Sequence, residues 1–164
     1  MPHSGGMIDA TDLQLLTILQ ENARTSNADL ARSLEMAPSA IHQRLRKLEE
    51  RGVLQGYAAR IDPESVSCGL VAFLHLQTDE RLGDFHVAEE LARLPEVLEL
   101  HDVAGEDCYL AKVRARDTSD LHRLIREVIA GVDGVRSTRT TVVLKTVKES
   151  GDLPLHNAAE KGRN

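Results

Sequence analysis

Two cysteines, Cys68 and Cys108, are all that 164 residues hold. That is too few for a disulfide scaffold, and both are expected to stay reduced in a cytosolic protein. No stretch approaches the ~20 consecutive apolar residues of a membrane span, and the opening MPHSGGM lacks the apolar centre of a signal peptide. Gly83, Gly105 and Gly131 sit singly at turns, so no glycine-rich loop is available to cradle phosphate. Seven histidines suggest metal, yet His101 and Cys108 fall on separate predicted strands, with no short-range pair such as C-x₂-C or H-x₃-H. The same two residues lack the third orienting group that a catalytic thiolate needs. A metal, a cofactor, catalysis and a membrane are therefore not expected.

The remaining composition is that of an ordinary globular chain, 41% hydrophobic and 28% charged. Its length suits one medium core or two small ones. The formal net charge is -6, and it is unevenly divided. Through Ile61 seven Lys/Arg balance seven Asp/Glu, which leaves 13 basic and 19 acidic residues for the rest of the chain. An acidic body repels polyanions, so contact with nucleic acid is confined to the first part.

Within that first part, IDATDLQLLTILQENAR carries Ile8, Leu15, Leu16 and Leu19 on one stripe, with Asp9 as N-cap and Asp12 in the first turn. Ser26 caps a short second helix that buries Leu30, Ala31 and Leu34. Pro38 fits the first turn of a third helix, and Gly52 stops it. In that helix Ile41, Leu45 and Leu48 recur at helical spacing and turn inward, leaving Ser39, His42, Gln43 and Arg46 outside. Arg44, Arg46, Lys47 and Arg51 give it four cations against Glu49 and Glu50. After it, Val53–Leu54, a turn at Gln55–Gly56, and Tyr57 to Ile61 suggest a β ribbon. A close helix pair with a basic second member and a β wing is the layout of a winged helix-turn-helix. Base edges need short donors and acceptors, and phosphates need cations. Ser39, Ala40, His42, Gln43, Arg44, Arg46 and Lys47 are the candidate DNA contacts, with Arg44 and Lys47 nearer phosphate. A charged helix alone is more often a solvated face; the elements before it favour DNA.

The second part predicts strand, helix, two strands, helix, strand. GLVAFLHLQT opens it. Asp84 caps a helix with Val87, Ala88, Leu91 and Leu94 inward. Val97–Val103 and Cys108–Arg114 flank the AGED turn, a helix buries Leu121, Leu124, Ile125 and Val128, and VRSTRTTVVLKTV closes as a long strand. This is the ferredoxin-like βαββαβ order, and the whole chain is α+β. Leu94–Val97 and Val132–Val135 each leave a helix by a two-residue turn and enter a strand at valine, a faint internal repeat. Two helices cover one sheet face and leave the other open, so at least a dimer is expected.

The stretches ID..D..LL..LQ.NAR.S, DLA..L, P...I..R...LE..GV and GY.A..DP, with LPEVLELHDVAGEDCYLAKVRARD and GVRSTRTTVVLKTVK, closely resemble the Lrp/AsnC (feast/famine) transcriptional regulators. The resemblance covers roughly residues 8–148. It implies a winged helix-turn-helix DNA-binding domain (8–61), a linker (62–69), and a sensing and oligomerisation domain (70–148). A leader (1–7) and a tail (149–164) are expected to be disordered. Two departures stand out: Glu35 replaces the usual glycine turn, and Ala37 the usual serine or threonine cap.

The resemblance also implies an effector site, with the turn Gly105-Glu106-Asp107-Cys108-Tyr109 facing Thr138-Arg139-Thr140. Gly105 and its neighbouring amides, with Arg139, suit a carboxylate; Glu106 or Asp107 suits an ammonium, which is the chemistry of an amino acid. Cys108 stands where the family has a second acid. The expected partners are operator DNA, an amino acid or related metabolite, and further copies of the chain as a dimer able to gather into tetramers or octamers. The expected place is the cytoplasm, at the nucleoid. The alternative is an architectural, chromatin-like DNA binder of the same fold with little effector response.

Overall fold

The computed structural model describes residues 8–81 and 83–155. The chain forms two units: one from the residues up to Arg60 together with the stretch from Glu149, the other from Ile61 to Lys148.

The first unit is built on α1 (Ala10–Glu21), α2 (Asn27–Ser33) and α3 (Pro38–Glu50). Asp9 and Asp12 form a reciprocal capping box at the start of α1, and Ser26 caps α2 by accepting from the Asp29 N–H. Leu15, Leu16, Leu19, Leu30, Ala31, Ile41, Leu45 and Leu48 make one buried cluster. Both α2 and α3 end in Schellman geometry. After α3, Gly52 takes the left-handed conformation (φ 66°) while the Val53 N–H donates to the Leu48 carbonyl at 2.9 Å. After α2 the equivalent residue is Glu35, at φ 53°, with the Met36 N–H donating to the Ala31 carbonyl.

A left-handed conformation strains any residue carrying a Cβ. Ala37, for its part, opens α3 with no side-chain hydrogen bond, as its sequence position implied. Glu35→Gly and Ala37→Ser are therefore expected to raise the unfolding free energy of this unit by about 1 kcal/mol each, read from the urea midpoint. No gain from Glu35→Gly would mean that the strain is already relieved in the native turn.

The expected wing ribbon is absent: no strand is assigned among residues 53–61. The N–H groups of Val53 and Leu54, its would-be first arm, both donate to the Leu48 carbonyl and close the end of α3. A ladder cannot use donors already spent on a helix end. Tyr57 and Ile61 are left exposed.

Disorder from residue 149 is also corrected for 149–155. Asp152 pairs with Arg60, Leu153 bonds to Gln20, and Leu155 packs on the first unit's core. The apolar Leu-Pro-Leu supplied the means, but its binding surface on α1 is visible only in three dimensions. The leader 1–7 and residues 156–164 lie outside the described residues.

The second unit has the expected order: β1 (Leu70–Thr78), α4 (His86–Leu91), β2 (Val97–Asp102), β3 (Tyr109–Ala115), α5 (Thr118–Arg123) and β4 (Val135–Val142). The strands form an antiparallel sheet ordered β2-β3-β1-β4, the ferredoxin-like arrangement. The stretch predicted as a linker is partly ordered: a 3₁₀ turn spans Glu64–Val66, and the Asp62 carboxylate accepts from the Glu64 and Ser65 N–H groups. Ala72, Leu74, Leu76, Tyr109, Ala111 and Val113 face the helices and are buried with Val87, Leu91, Leu121, Leu124 and Ile129.

Three details depart from the sequence expectation. The predicted cap Asp84 accepts from the His86 N–H, but Glu80 also reaches the helix, accepting from the Val87 N–H at 2.6 Å. Past α5 the helix widens into a π turn over Leu124–Val128, which puts Ile129 at the core while Val128 is only half-buried. β4 ends at Val142, opposite Ala72, and Leu144 and Val147 stand 99% and 91% exposed. The β-branched run continues in sequence, but its strand partner does not.

Candidate DNA-reading face and ligand-binding groove

Ser39, His42, Gln43, Arg46 and Lys47 of α3 are all exposed, and Ala40 is half-buried on the first turn. The face they form is set by Ile41, Leu45 and Leu48, which anchor the opposite side of the helix. Arg46 makes an i,i+4 ion pair with Glu50 at 2.7 Å, both side chains being mostly solvated. Such a pair is worth about 0.3–0.5 kcal/mol, so the guanidinium is cheaply released to another acceptor. Lys47 has no ion-pair partner among the described residues.

Arg44 is different. Its guanidinium nitrogen lies 2.6 Å from Asp9 and 2.7 Å from Asp12, tying α3 to the capping box of α1. Desolvation works against the charge on Asp9, yet the Asp12 N–H and the Arg44 guanidinium together hold its carboxyl below the usual value. Arg44 is correspondingly raised, chiefly through the hydrogen bond it donates to Asp9's carboxylate. The expectation that Arg44 approaches phosphate therefore does not fit this arrangement. Arg44 stands at the border of the buried stripe, flanked by buried Ile41 and exposed Lys47, and spacing alone could not tell which way it turns.

In the second unit, the sheet face away from the helices carries Phe73, His75, Gln77, Glu99, His101, Leu110, Lys112 and Arg139, by the alternation of the strands. It is more charged than its Val, Leu and Thr content suggested. Asp107, at the end of the turn, accepts from Arg139 at 2.8 Å and lies 3.1 Å from His75 Nδ1. The register sets His75 directly opposite Arg139. Arg139 is largely exposed, whereas Asp107 is mostly covered.

The remaining turn residues lie close by. Gly105, Asp107, Cys108 and Tyr109 line a groove of about 480 Å³ with Thr78, Glu80, Arg81, Asp84, Phe85 and Asp102. Cys108 is fixed by its backbone, its N–H donating to Leu76 and its carbonyl accepting from Val103. Glu106 is exposed, and its carbonyl accepts from the Gln77 side chain. The Tyr109 hydroxyl donates to Glu80 at 3.0 Å and is thereby occupied. Thr138 and Thr140 are not brought to Asp107. They pair with Leu76 and Leu74 on the helix side and line a separate groove with His122, Ile125 and Arg126. Within one chain the predicted effector set is thus divided, because odd and even residues of β4 face opposite ways. Sequence inspection missed Glu80 and His75; only strand pairing puts His75 beside the turn, and no local signal marks either.

Burial, with the carboxylate of Glu80 adding to it, pushes the Tyr109 phenol up to about 12 from an ordinary 10. A raised pKa contributes stability that is complete below the unfolded value and vanishes as pH rises through the folded one. The second unit should therefore lose stability between pH 10 and 12, and Tyr109→Phe should abolish this part of the alkaline loss. A Tyr109→Phe protein with an unaltered alkaline profile would contradict it.

Among the described residues no group of three or more His, Cys, Asp or Glu is placed to hold a metal ion, and no helix is long and apolar enough to cross a membrane.

Residues 8–55 match a model of winged helix-turn-helix DNA-binding domains, and residues 71–153 match the Lrp/AsnC ligand-binding domain. The chain is 33% identical over 153 residues to the leucine-responsive regulatory protein of Escherichia coli K12, covering 91% of this chain and 92% of that protein. It is 32% identical over 149 residues to the HTH-type transcriptional regulator FL11 of Pyrococcus horikoshii, covering 90% and 97%. Among solved structures it resembles a transcriptional regulator of Neisseria meningitidis in complex with L-methionine, with a TM-score of 0.85 at 32% identity over 92% of this chain and 99% of that one. With a three-helix unit that exposes polar and basic side chains on α3, and a ferredoxin-like unit of the family's ligand-binding type, this chain belongs to the Lrp/AsnC family of DNA-binding transcriptional regulators.

Proposed function

We propose that the protein reads operator DNA with Ser39, His42, Gln43 and Arg46, contacts phosphate through Lys47, and adjusts that binding to an amino acid held at Asp107 and Arg139. Residues 8–61 serve as the DNA-binding module and 70–148 as the sensing module, acting by binding alone and without a catalytic step. The observation that carries the effector assignment is the Asp107–Arg139 ion pair on the open sheet face. A zwitterion presents the same two charges: its carboxylate can take Arg139 as its ammonium takes Asp107, so neither protein charge is left unpaired. Arg139 is the exposed and movable partner, Asp107 the fixed one. The L-methionine complex of the Neisseria meningitidis relative supports the same ligand class.

The open face also supports self-association, because a sheet with one uncovered side and Phe73 and Leu110 on it buries them best against another copy. Paired reading heads then require half-sites about one helical turn apart, or a multiple of it. An amino acid can shift such assemblies only by binding one state more tightly than another.

Calorimetry of the full chain against L-methionine and the other amino acids tests this, with sedimentation run in parallel. At least one should bind, Asp107→Ala and Arg139→Ala should each weaken it about tenfold or more, and the bound ligand should change the oligomer distribution. No heat from any amino acid would overturn the effector assignment and favour an architectural role.

A further inference from the structure

The surface of α1 holds a segment that is distant from it in the sequence. Gln20, near the end of α1, makes two hydrogen bonds to the main chain of one residue 133 positions later. Its Nε2 donates to the Leu153 carbonyl at 3.1 Å, and its Oε1 accepts from the Leu153 N–H at 2.8 Å. A primary amide that meets both polar groups of one residue acts as a neighbouring strand would, and selects extended backbone over any particular side chain. The Leu153 side chain is accordingly 67% exposed.

On either side the segment is fixed by different chemistry. Before it, the Asp152 N–H donates to the Ser150 hydroxyl, which in turn donates to the Asp152 carboxylate, and Arg60 holds that carboxylate at 2.6 Å. After it, Pro154 restricts the backbone, and Leu155 packs against the hydrophobic cluster of the three helices. Leu13, Thr17, Ile18 and Leu34 line the groove, whose other wall is Leu153 with Leu155.

We propose that Ser150–Leu155 is an intramolecular docking peptide, a clasp that Gln20 and Arg60 hold against α1, so that the chain's own segment after Lys148 walls one side of the groove. None of the clasp residues belongs to α3, so docking leaves the DNA-reading face free. The clasp bears on α1, and α1 in turn holds α3 through Asp9, Asp12 and Arg44. It also gives the DNA-binding unit two covalent connections to the ligand-binding unit, one at residues 60–61 and one at 148–149.

Amide hydrogen exchange on the full-length protein tests the clasp. The Leu153 N–H should exchange at least about tenfold more slowly than in a free peptide of residues 149–156. Gln20→Ala should return it to the peptide rate while the amides of α1 stay protected. Asp152→Ala, which leaves α1 untouched, should restore part of that rate, and it keeps the test valid if Gln20→Ala unfolds the unit. The protection should not depend on protein concentration. A Leu153 N–H that exchanges freely in the wild type, or stays slow in Gln20→Ala, would overturn the clasp. Protection that grows with concentration would overturn its intramolecular form in favour of a segment supplied by a second copy.

Discussion

Replacing Arg44 by alanine should lower the unfolding free energy of the DNA-binding unit by about 2 kcal/mol, a figure below that of a fully buried ion pair because Arg44 and Asp9 are partly solvated. Asp12 is only 8% exposed, and the substitution leaves its carboxylate accepting from the Asp9 N–H without the guanidinium. The salt dependence of operator binding should stay as it is, since Arg44 is committed to α1. The loss should also depend on pH. Asp9 is held below its ordinary value of 3.8, so the pair stabilises the fold fully above that value and fades as pH falls through the folded one. Wild type and variant should thus differ most near neutrality and converge in acid. Urea unfolding at several pH values measures the first effect, and binding at several salt concentrations the second. Full stability together with a shallower salt slope would return Arg44 to the phosphate backbone.

A second large effect is expected on the exposed face of α3. Gln43→Ala or Arg46→Ala should reduce affinity for the preferred operator by roughly 1–3 kcal/mol per lost base contact while leaving non-specific binding nearly untouched. Arg46 must first leave Glu50, at a cost of a few tenths of a kcal/mol for an exposed pair. Lys47→Ala should behave differently: all sequences weaken together, and the salt slope falls by about one. Competition binding against operator and random DNA separates the two patterns. Arg46→Ala binding every sequence like the wild type would remove it from the set of base readers.

The departures from family pattern are local and concern stability more than recognition. Glu35 adopts the left-handed turn conformation in spite of its side chain, and Ala37 begins α3 without a cap. Neither change moves Ile41, Leu45 or Leu48 out of the core, so the outward face of α3 is preserved.

Periodicity and capping residues by themselves determined the three helices of the first unit, the strand and helix order of the second, and which α3 residues face outward. Each of these follows from interactions within a few positions, where helical or alternating spacing specifies the buried side. The resemblance added the turn at Gly105–Tyr109 and the partner segment Thr138–Thr140. What only the tertiary structure decided are the pairings between distant residues. Arg44 turns to Asp9 and Asp12, because α1 presents two carboxylates at the point where the helices meet. His75 joins Asp107 and Arg139 through strand register, while Thr138 and Thr140 are carried to the other face. The wing ribbon gives way to a helix end that uses its donors, and the tail docks on α1 and walls a groove with α1 and the residue after α2. A single sequence encodes where a side chain can point; which charge or groove meets it depends on chain segments brought together from 32 to 133 positions away.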